Sequence, residues 1–360
     1  MVFTFIIAFV SLVGLLVLHE FGHFIIAKRF GVKVEEFGIG YPPRLFGKKI
    51  GETIFSLNLL PFGAFVRVPG EIGKSDDARS FSSQPILKRA LIMIGGVLSF
   101  WVMSAIIFSI VFSMGVPVAV GDQDSSVSSA KVQIASVSQS SPAKAAGLMA
   151  GDTIASLQLK NQSEKLKITK VKEVQELTEN HKGEEIVLTI VRGKNTLDVA
   201  LTPRASPPDG EGPMGVALVR TALKFYPWYQ SPWRGVLQTF NLTGAIIQGY
   251  YQAIHNVFSG EPSGVQLTGP VGVFSLLNQA SQLGAAYFLN FLGMISLYLA
   301  IFNLLPIPAV DGGKLLFLGI EAARKKPLSP KIEQNVTAAF FMAMIGLMIY
   351  ITIGDVRRLF

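Results

Sequence analysis

The chain contains the stretch Leu18-His19-Glu20-Phe21-Gly22-His23-Phe24, inside an apolar segment that extends from residue 3 to residue 27. At 3.6 residues per helical turn, the two histidines lie on one face of a helix and the glutamate lies beside them. Ionisable side chains inside an apolar span are costly unless they are paired or bound to a ligand. The stretch therefore predicts a membrane helix with a polar site within it.

The composition predicts a membrane protein with several spans. Half of the 360 residues are apolar, 16% are charged, and the mean hydropathy is +0.45, which is unusually apolar for a soluble protein. Four segments are long enough to cross a bilayer as helices: residues 3–27, 91–118, 285–309 and 336–354. The formal charge of +8 fits basic loops beside such spans, and no nucleic-acid-binding motif accompanies it. We therefore expect no nucleic-acid partner.

Basic residues predict the orientation of these spans. The loop between the first two spans and the loop between the last two are both rich in Lys and Arg, which favours the cytoplasmic side for both loops. The long stretch from about residue 119 to residue 284 then lies outside. Arg357 and Arg358, at the outer end of the last span, run against this assignment.

The two histidines of the first span form half of a predicted zinc site. The spacing His-Glu-x-x-His lets both imidazoles reach one metal and leaves Glu20 close enough to act on a water molecule. The chain has four histidines and no cysteine, so a further ligand must be His, Asp or Glu. His181 and His255 are distant from this span in the predicted topology, and we expect them to be ordinary polar residues.

The best candidate for the third ligand lies at the cytoplasmic end of the third span. There the chain reads Asn303-Leu304-Leu305-Pro306-Ile307-Pro308-Ala309-Val310-Asp311-Gly312-Gly313. The two prolines and two glycines break the helix, which would let Asp311 turn inward. The alternative is that Asp311 caps the start of a new helix.

Residues 31–70 predict β-hairpins after the first span. Thr53–Leu59 and Ala64–Val68 have the composition of strands, and several glycines and prolines separate them. Because Leu59–Phe62 is strongly apolar, this region could dip back into the bilayer if protein covers its backbone. The alternative is a soluble cytosolic hairpin.

Residues 119–204 predict a small soluble α/β domain. Val132–Val137 alternates like a strand, Ser141 precedes a helix with proline at its first position, residues 171–180 predict a second helix, and Gly193-Lys194-Asn195 predicts a turn between strands. The run from Ser141 to Ile154 resembles bacterial PDZ domains. That resemblance implies a groove in which a peptide adds to a strand edge; the alternative is a spacer that binds nothing.

The stretch from residue 205 to residue 284 predicts a linker and interfacial helices. Residues 205–210 are rich in proline, and residues 232–258 form an amphipathic pattern with aromatic residues suited to a lipid surface. The predicted organisation is therefore 1–118 for the first two spans with the β region, 119–204 for the PDZ-like domain, 205–284 for this stretch, and 285–360 for the last two spans.

Several motifs occur in the order seen in the bacterial site-2 protease family, which the chain resembles over nearly its whole length. They are Leu18-His19-Glu20-Phe21-Gly22-His23-Phe24, Leu60-Pro61-Phe62-Gly63-Ala64-Phe65-Val66, a PDZ-like segment, Thr268-Gly269-Pro270-Val271-Gly272, and Asn303-x-x-Pro306-x-Pro308-x-x-Asp311-Gly312. The resemblance implies a polytopic α-helical membrane protein with about four spans, a membrane-associated β-hairpin region after the first, and one extracytoplasmic PDZ-like domain.

The same resemblance implies an intramembrane zinc metalloprotease of the bacterial cytoplasmic membrane, with its active site toward the cytoplasm. His19, His23 and Asp311 would hold Zn²⁺, Glu20 would activate water, and Asn303 would help to hold substrate. The β-hairpin region would pair with the unwound substrate. The implied substrates are single-pass membrane proteins, with anti-sigma-factor-like proteins and signal-peptide remnants among the candidates.

The chain departs from the family pattern at three places. Many members open the second span with Gly-Pro-x-x-Asn, where this chain has Gly95-Gly96-Val97-Leu98-Ser99, and many have histidine where this chain has Lys314. The chain also predicts one PDZ-like domain, whereas some members have two. Two alternatives from other functional classes are an inactive PDZ-bearing membrane adaptor and a transporter, although a transporter usually shows internal repeats, which this sequence lacks.

Overall fold

The computed structural model describes residues 2–71, 73, 75–123, 130–159, 164–193, 195–208, 210–261 and 268–359. The helices are α1 Val2–Arg29, α2 Ile86–Met114, α3 Pro142–Ala145, α4 Val171–Asn180, α5 Ser231–Phe258, α6 Pro270–Leu283, α7 Ala285–Leu304, α8 Asp311–Arg324 and α9 Pro330–Leu359. The strands are β1 Glu36–Ile50, β2 Thr53–Arg67, β3 Val116–Ala119, β4 Lys131–Val137, β5 Thr153–Leu159, β6 Leu166–Lys167, β7 Ile186–Arg192, β8 Asn195–Leu201 and β9 Val216–Lys224.

Four of these helices are long and apolar enough to cross a membrane, and each overlaps one of the four predicted spans. They are α1, α2, α7 and α9. The second ends at Met114 rather than at the predicted residue 118 and is followed by β3. The third ends at Leu304 rather than at the predicted residue 309. Pro306 lacks an N–H group and disfavours helical backbone in the residue before it, so the helix stops just ahead of the two prolines.

The chain divides into two units. One comprises residues 1–109, 232–278 and 289–360, and the other comprises residues 110–231 and 279–288. The first unit contains α1, β1, β2, α8 and α9, together with most of α2, α5, α6 and α7. It therefore contains every residue of the predicted zinc site.

The predicted β region of the first unit is a single irregular sheet built from two long strands. The first residues of β1, Glu36–Ile39, lie between two segments of β2. Glu36 is in register with both Ile54 and Arg67, and Ile39 is in register with both Leu57 and Ala64. The second half of β1 turns back at Gly51, where φ is +63°, a conformation that glycine adopts readily. The prediction of hairpins within residues 31–70 is confirmed.

The second unit is built on a seven-stranded sheet with the order β3-β9-β4-β5-β7-β8, and β6 pairs with β5. Its predicted elements are confirmed. Ser141 caps α3 by accepting a hydrogen bond from the backbone N–H of Lys144, and α4 covers the predicted residues 171–180. The turn between β7 and β8 occurs where it was predicted, with Lys194 outside the described residues.

The sheet extends beyond residue 204, where the sequence predicts that the domain ends. β9 pairs with β4 on one side and with β3 on the other, so it belongs inside the sheet. A proline-rich stretch such as 205–210 usually indicates a linker, yet here it is a loop that returns the chain to the sheet; Asp209 in this stretch lies outside the described residues. The predicted amphipathic segment 232–258 is helical within α5.

Candidate metal centre

The site begins with two histidines one turn apart on α1. His19 and His23 are both buried, each with 7% of its surface exposed, although α1 is otherwise apolar. Their Nε2 atoms lie 3.3 Å apart, and the two rings meet edge to face. The spacing of four residues thus directs both Nε2 atoms toward one point, as predicted.

Asp311, the first residue of α8, completes a triangle with the two imidazoles. Its Oδ2 atom lies 3.2 Å from His19 Nε2 and 3.3 Å from His23 Nε2. A tetrahedral zinc ion with ligands at about 2.0–2.1 Å has ligand atoms about 3.3 Å from one another. The three atoms therefore have the spacing of three zinc ligands, and among the described residues they form one possible metal-binding group.

The surroundings of these residues also fit a metal. The Nδ1–H of His23 donates a 2.8 Å hydrogen bond to the carbonyl oxygen of Ile92, which leaves the Nε2 lone pair available to a metal. His19 stacks on Phe100 with ring centroids 4.6 Å apart, which fixes the plane of its imidazole. Asp311 Oδ2 is buried and has no hydrogen-bond partner of acceptable geometry among the described residues. A cation would satisfy that oxygen.

The Asp311 carboxyl is held in its ionised form. Its burial disfavours the charge, but the imidazoles of His19 and His23 outweigh that effect, so its pKa lies well below the usual range of an aspartate. The carboxylate is the form that binds zinc.

Glycines allow the helices around this site to approach closely. A Cβ atom on Gly96 of α2 would lie 2.1 Å from His23 Nε2, and one on Gly22 of α1 would lie 2.4 Å from the carbonyl oxygen of Gly95. Small residues at such crossings are common between membrane helices. From the sequence, Gly95 and Gly96 are seen only as a departure from a family pattern and this packing role is missed, although two adjacent glycines in an apolar span are a visible signal.

Two further glycines shape the turn that carries Asp311. A Cβ on Gly312 would lie 2.0 Å from the carbonyl oxygen of Leu305, and one on Gly313 would lie 2.3 Å from that of Ile307. α8 can therefore begin directly against the proline-containing turn. Asp311 is therefore the first residue of α8 and also lies beside the histidines. The N-cap position is occupied by Val310, so the alternative in which Asp311 caps the helix is wrong.

A cavity of about 680 Å³ is lined by two of the three candidate ligands, His19 and Asp311. Glu20, Asn303 and Tyr41 also line it, and Tyr41 belongs to β1. The amide nitrogen of Asn303 donates a 2.9 Å hydrogen bond to the carbonyl of Leu299 one turn earlier. Glu71, Lys314 and Glu333 give the same cavity a polar portion.

Neither His181 nor His255 belongs to this group of candidate ligands, as expected. His181 forms a 2.8 Å ion pair with Glu184. His255 lies near Tyr251 on α5, with ring centroids 6.2 Å apart.

Comparison with known proteins identifies the family. The sequence profile of peptidase family M50 matches residues 5–347. The chain belongs to peptidase family M50, the site-2 protease family. It is 33% identical to a provisionally named zinc metalloprotease of Clostridium perfringens over 98% of both chains. It is 28% identical to the zinc metalloprotease RasP of Oceanobacillus iheyensis, over 99% of this chain and all of that one.

A third relative carries a more informative name. The regulator of sigma-W protease RasP of Bacillus subtilis is 26% identical to this M50 chain over 99% of both. Membership of the family confirms the predicted enzyme class and cofactor: the chain is a zinc metalloprotease and a multi-pass membrane protein. The transporter alternative is wrong, and the family favours a protease over an inactive adaptor.

Proposed function

We propose that this M50 protease cleaves peptide bonds within or near the membrane spans of single-pass proteins, with His19, His23 and Asp311 as zinc ligands and Glu20 as general base. The observation that carries the proposal is the triangle of ligand atoms within 3.3 Å of one another, two of them on a helix apolar enough to cross a membrane. A soluble peptidase does not need its histidines in a helix that is long and apolar enough to cross a membrane.

The depth of the site supports cleavage close to the cytoplasmic face. His19 precedes Lys28 by nine residues, which is about 14 Å along a helix. Lys28 and Arg29 end α1, and basic residues at the end of a span favour its cytoplasmic side. We therefore assign the site to the cytoplasmic half of a bacterial inner membrane, with the second unit outside the cell.

The residues of the cavity suggest how hydrolysis proceeds. Zinc, when bound, supplies Lewis acidity toward water and the scissile carbonyl. Glu20 lines the same cavity as His19 and Asp311, so its carboxylate is placed to take a proton from water and to return it to the leaving amine nitrogen. Asn303 lines the same cavity and is assigned to hold the substrate backbone.

The irregular sheet is suited to hold an unwound substrate. A helix conceals its own peptide bonds, so a substrate span must become extended before it can be cut. The segment Arg44–Ile50 pairs on one side with Thr53–Asn58 and, among the described residues, has no strand on its other side. A substrate segment could add to that edge through backbone hydrogen bonds.

The second unit is assigned to substrate selection. A cavity of about 640 Å³ is lined by Val216 and Leu218 of β9, by Gln175 and Glu179 of α4, and by Met214. A groove between a strand and a helix is the arrangement by which PDZ domains take up a peptide. The unit would then bind a peptide or restrict access by bulky substrates. The Bacillus subtilis relative is named a regulator of sigma-W, and we propose anti-sigma-factor-like membrane proteins among the substrates of this chain.

The assignment of Glu20 is tested by Glu20→Gln with a single-pass reporter in the same membrane. Loss of a general base typically costs 10²–10⁴-fold in rate, so we expect the trimmed fragment to be lost while the zinc content of the purified protein is retained. Glu35→Gln is the matched control, because Glu35 is exposed and stands outside the cavity. Cleavage by Glu20→Gln at the wild-type rate would exclude Glu20 as the base.

A further inference from the structure

Lys314 lies one turn after Asp311 on α8. Residues three apart in a helix share a face, and both side chains line the same cavity. The position is one where the family resemblance leads us to expect histidine, so the function assigned to the site does not account for the lysine.

The ammonium group of Lys314 joins three separate segments. Its Nζ donates a 2.6 Å hydrogen bond to the carbonyl oxygen of Glu71, in the loop after β2. It also forms an ion pair with Glu333 in the first turn of α9, and it lies 5.9 Å from the centre of the Phe81 ring. The side chain is largely buried, with 18% of its surface exposed, so this is not a loose surface contact.

Lys314 supplies the polar side-chain contacts described for the first turn of α8 beyond Asp311, and Leu315 after it packs against the apolar cluster that includes Phe81. Val310 occupies the N-cap position without a side-chain hydrogen bond, and the prolines before it end the preceding helix. Gly312 and Gly313 set how closely α8 approaches the turn, but they have no side chains to hold it by. Rotation of α8 about its axis would swing Asp311 away from the histidines. Lys314 is the nearest side chain on α8 that is tied to other segments of the unit.

We propose that Lys314 is a positioning residue: its bonds to Glu71 and Glu333 hold α8 in the rotation that places Asp311 Oδ2 against both imidazoles. The inference rests on the proposed role of Asp311 as a zinc ligand. Side chains that orient a metal ligand without binding the metal typically contribute about ten- to one-hundred-fold to metal affinity. Lys314 acts on the site through Asp311 rather than on the substrate.

A second ion pair on α8 provides a matched control. Arg89 of α2 binds Glu321 through two hydrogen bonds of 3.0 and 2.6 Å, and both side chains are largely buried. Glu321 lies nearly three turns beyond Asp311. Loss of this pair removes a comparable ionic contact of α8 without releasing its first turn.

The test compares the zinc affinity of purified full-length variants, measured by competition with a fluorescent chelator, with their thermal unfolding in the same detergent. We expect Lys314→Met to weaken zinc binding about ten- to one-hundred-fold. Lys314→Arg should recover most of that affinity, because its guanidinium can also donate to Glu71 and Glu333. Glu321→Gln should lower the unfolding temperature and leave the zinc affinity within about twofold of wild type. That change is far smaller than the loss of affinity expected when a residue that orients a metal ligand is removed.

The outcomes separate this proposal from the assignment of the ligands. Wild-type zinc affinity in Lys314→Met, or an equal loss in Glu321→Gln, would overturn the positioning role. If Lys314→Met does not fold, Glu333→Gln decides, because it keeps the lysine and weakens its bond to α9; unchanged affinity there also overturns the role. Asp311→Asn is the reference: wild-type affinity in that variant overturns the proposed ligand set itself.

Discussion

Two aspartates in the first unit, Asp355 and Asp311, place a carboxylate oxygen in opposite surroundings. Asp355, near the end of α9, has 5% of its surface exposed, and its Oδ2 accepts hydrogen bonds of 2.8 and 2.9 Å from the backbone N–H groups of Gly269 and Gly272. Asp311 Oδ2 lies beside two imidazole nitrogens and, among the described residues, has no hydrogen-bond donor of acceptable geometry. The first carboxylate is satisfied by the protein, whereas the second is arranged for a cation.

The difference gives a role to a motif that the enzymatic function does not use. The segment Thr268-Gly269-Pro270-Val271-Gly272 forms the start of α6, where unpaired backbone N–H groups favour an anion. A Cβ atom on Gly269 or Gly272 would lie 2.8 or 3.0 Å from Asp355 Oδ2. The glycines therefore let the last span bond to the start of α6.

The largest expected effect comes from exchanging the two carboxylates for amides. Asp311→Asn should weaken zinc binding by more than roughly one-hundredfold, because it removes a charged ligand of the metal. Loss of a residue that only orients a ligand typically costs less than that. Asp355→Asn should leave the zinc affinity unchanged. Chelator competition on both purified variants measures this, and equal affinities in the two variants would erase the distinction between the aspartates.

The next largest effect is expected at Gly96, whose missing side chain leaves room for His23. Gly96→Ala would place a Cβ 2.1 Å from His23 Nε2, so either the helix or the imidazole must move. Overpacking of this kind typically costs about 1–3 kcal/mol, and we also expect zinc binding to fall. Gly14→Ala on α1 is the control, because a Cβ there meets no atom within 4 Å. Normal zinc content and stability in Gly96→Ala would show that the close approach is unnecessary.

A smaller loss is expected when the structural aspartate is shortened. Asp355→Ala leaves two N–H groups without their acceptor, and an unsatisfied buried donor typically costs about 1–3 kcal/mol. The unfolding temperature should fall, with Asp355→Asn falling less because its amide oxygen can still accept a hydrogen bond. Thermal unfolding in detergent records both. A large drop in zinc affinity with Asp355→Ala would mean that the two regions are coupled.

The smallest expected effect concerns Glu36, a buried carboxylate that forms ion pairs with Arg44 and Arg67. Burial would raise the pKa of Glu36, but its hydrogen bonds from Ser56 and Arg44 and its ion pair with Arg67 outweigh this and lower the pKa. A lowered pKa means that the stabilisation is complete above the ordinary glutamate value of about 4.3 and is lost as the pH falls below it. The unfolding temperature of wild type should therefore fall more steeply below that pH than that of Glu36→Gln; parallel curves would contradict the role of Glu36.

Much of this architecture could be predicted because it depends on neighbouring residues. Hydropathy over about 20 residues predicts the four spans, and the spacing of His19 and His23 places both on one helical face. Ser141 and the proline after it predict the start of α3. The limits of such reasoning appear at β9, since a strand preceded by a proline-rich loop carries no local sign of which sheet it joins.

The spans, the histidine pair and the break after α7 could be predicted from the order of residues, because they follow from periodicity and from the backbone chemistry of proline and glycine. The fold had to show that Asp311 both starts a helix and approaches the histidines. It also had to show that Gly96 makes room for His23 and that Lys314 ties α8 to Glu71 and Glu333. These relations join segments that are distant in the chain. They depend on the packing of helices against one another, which no short stretch of sequence specifies.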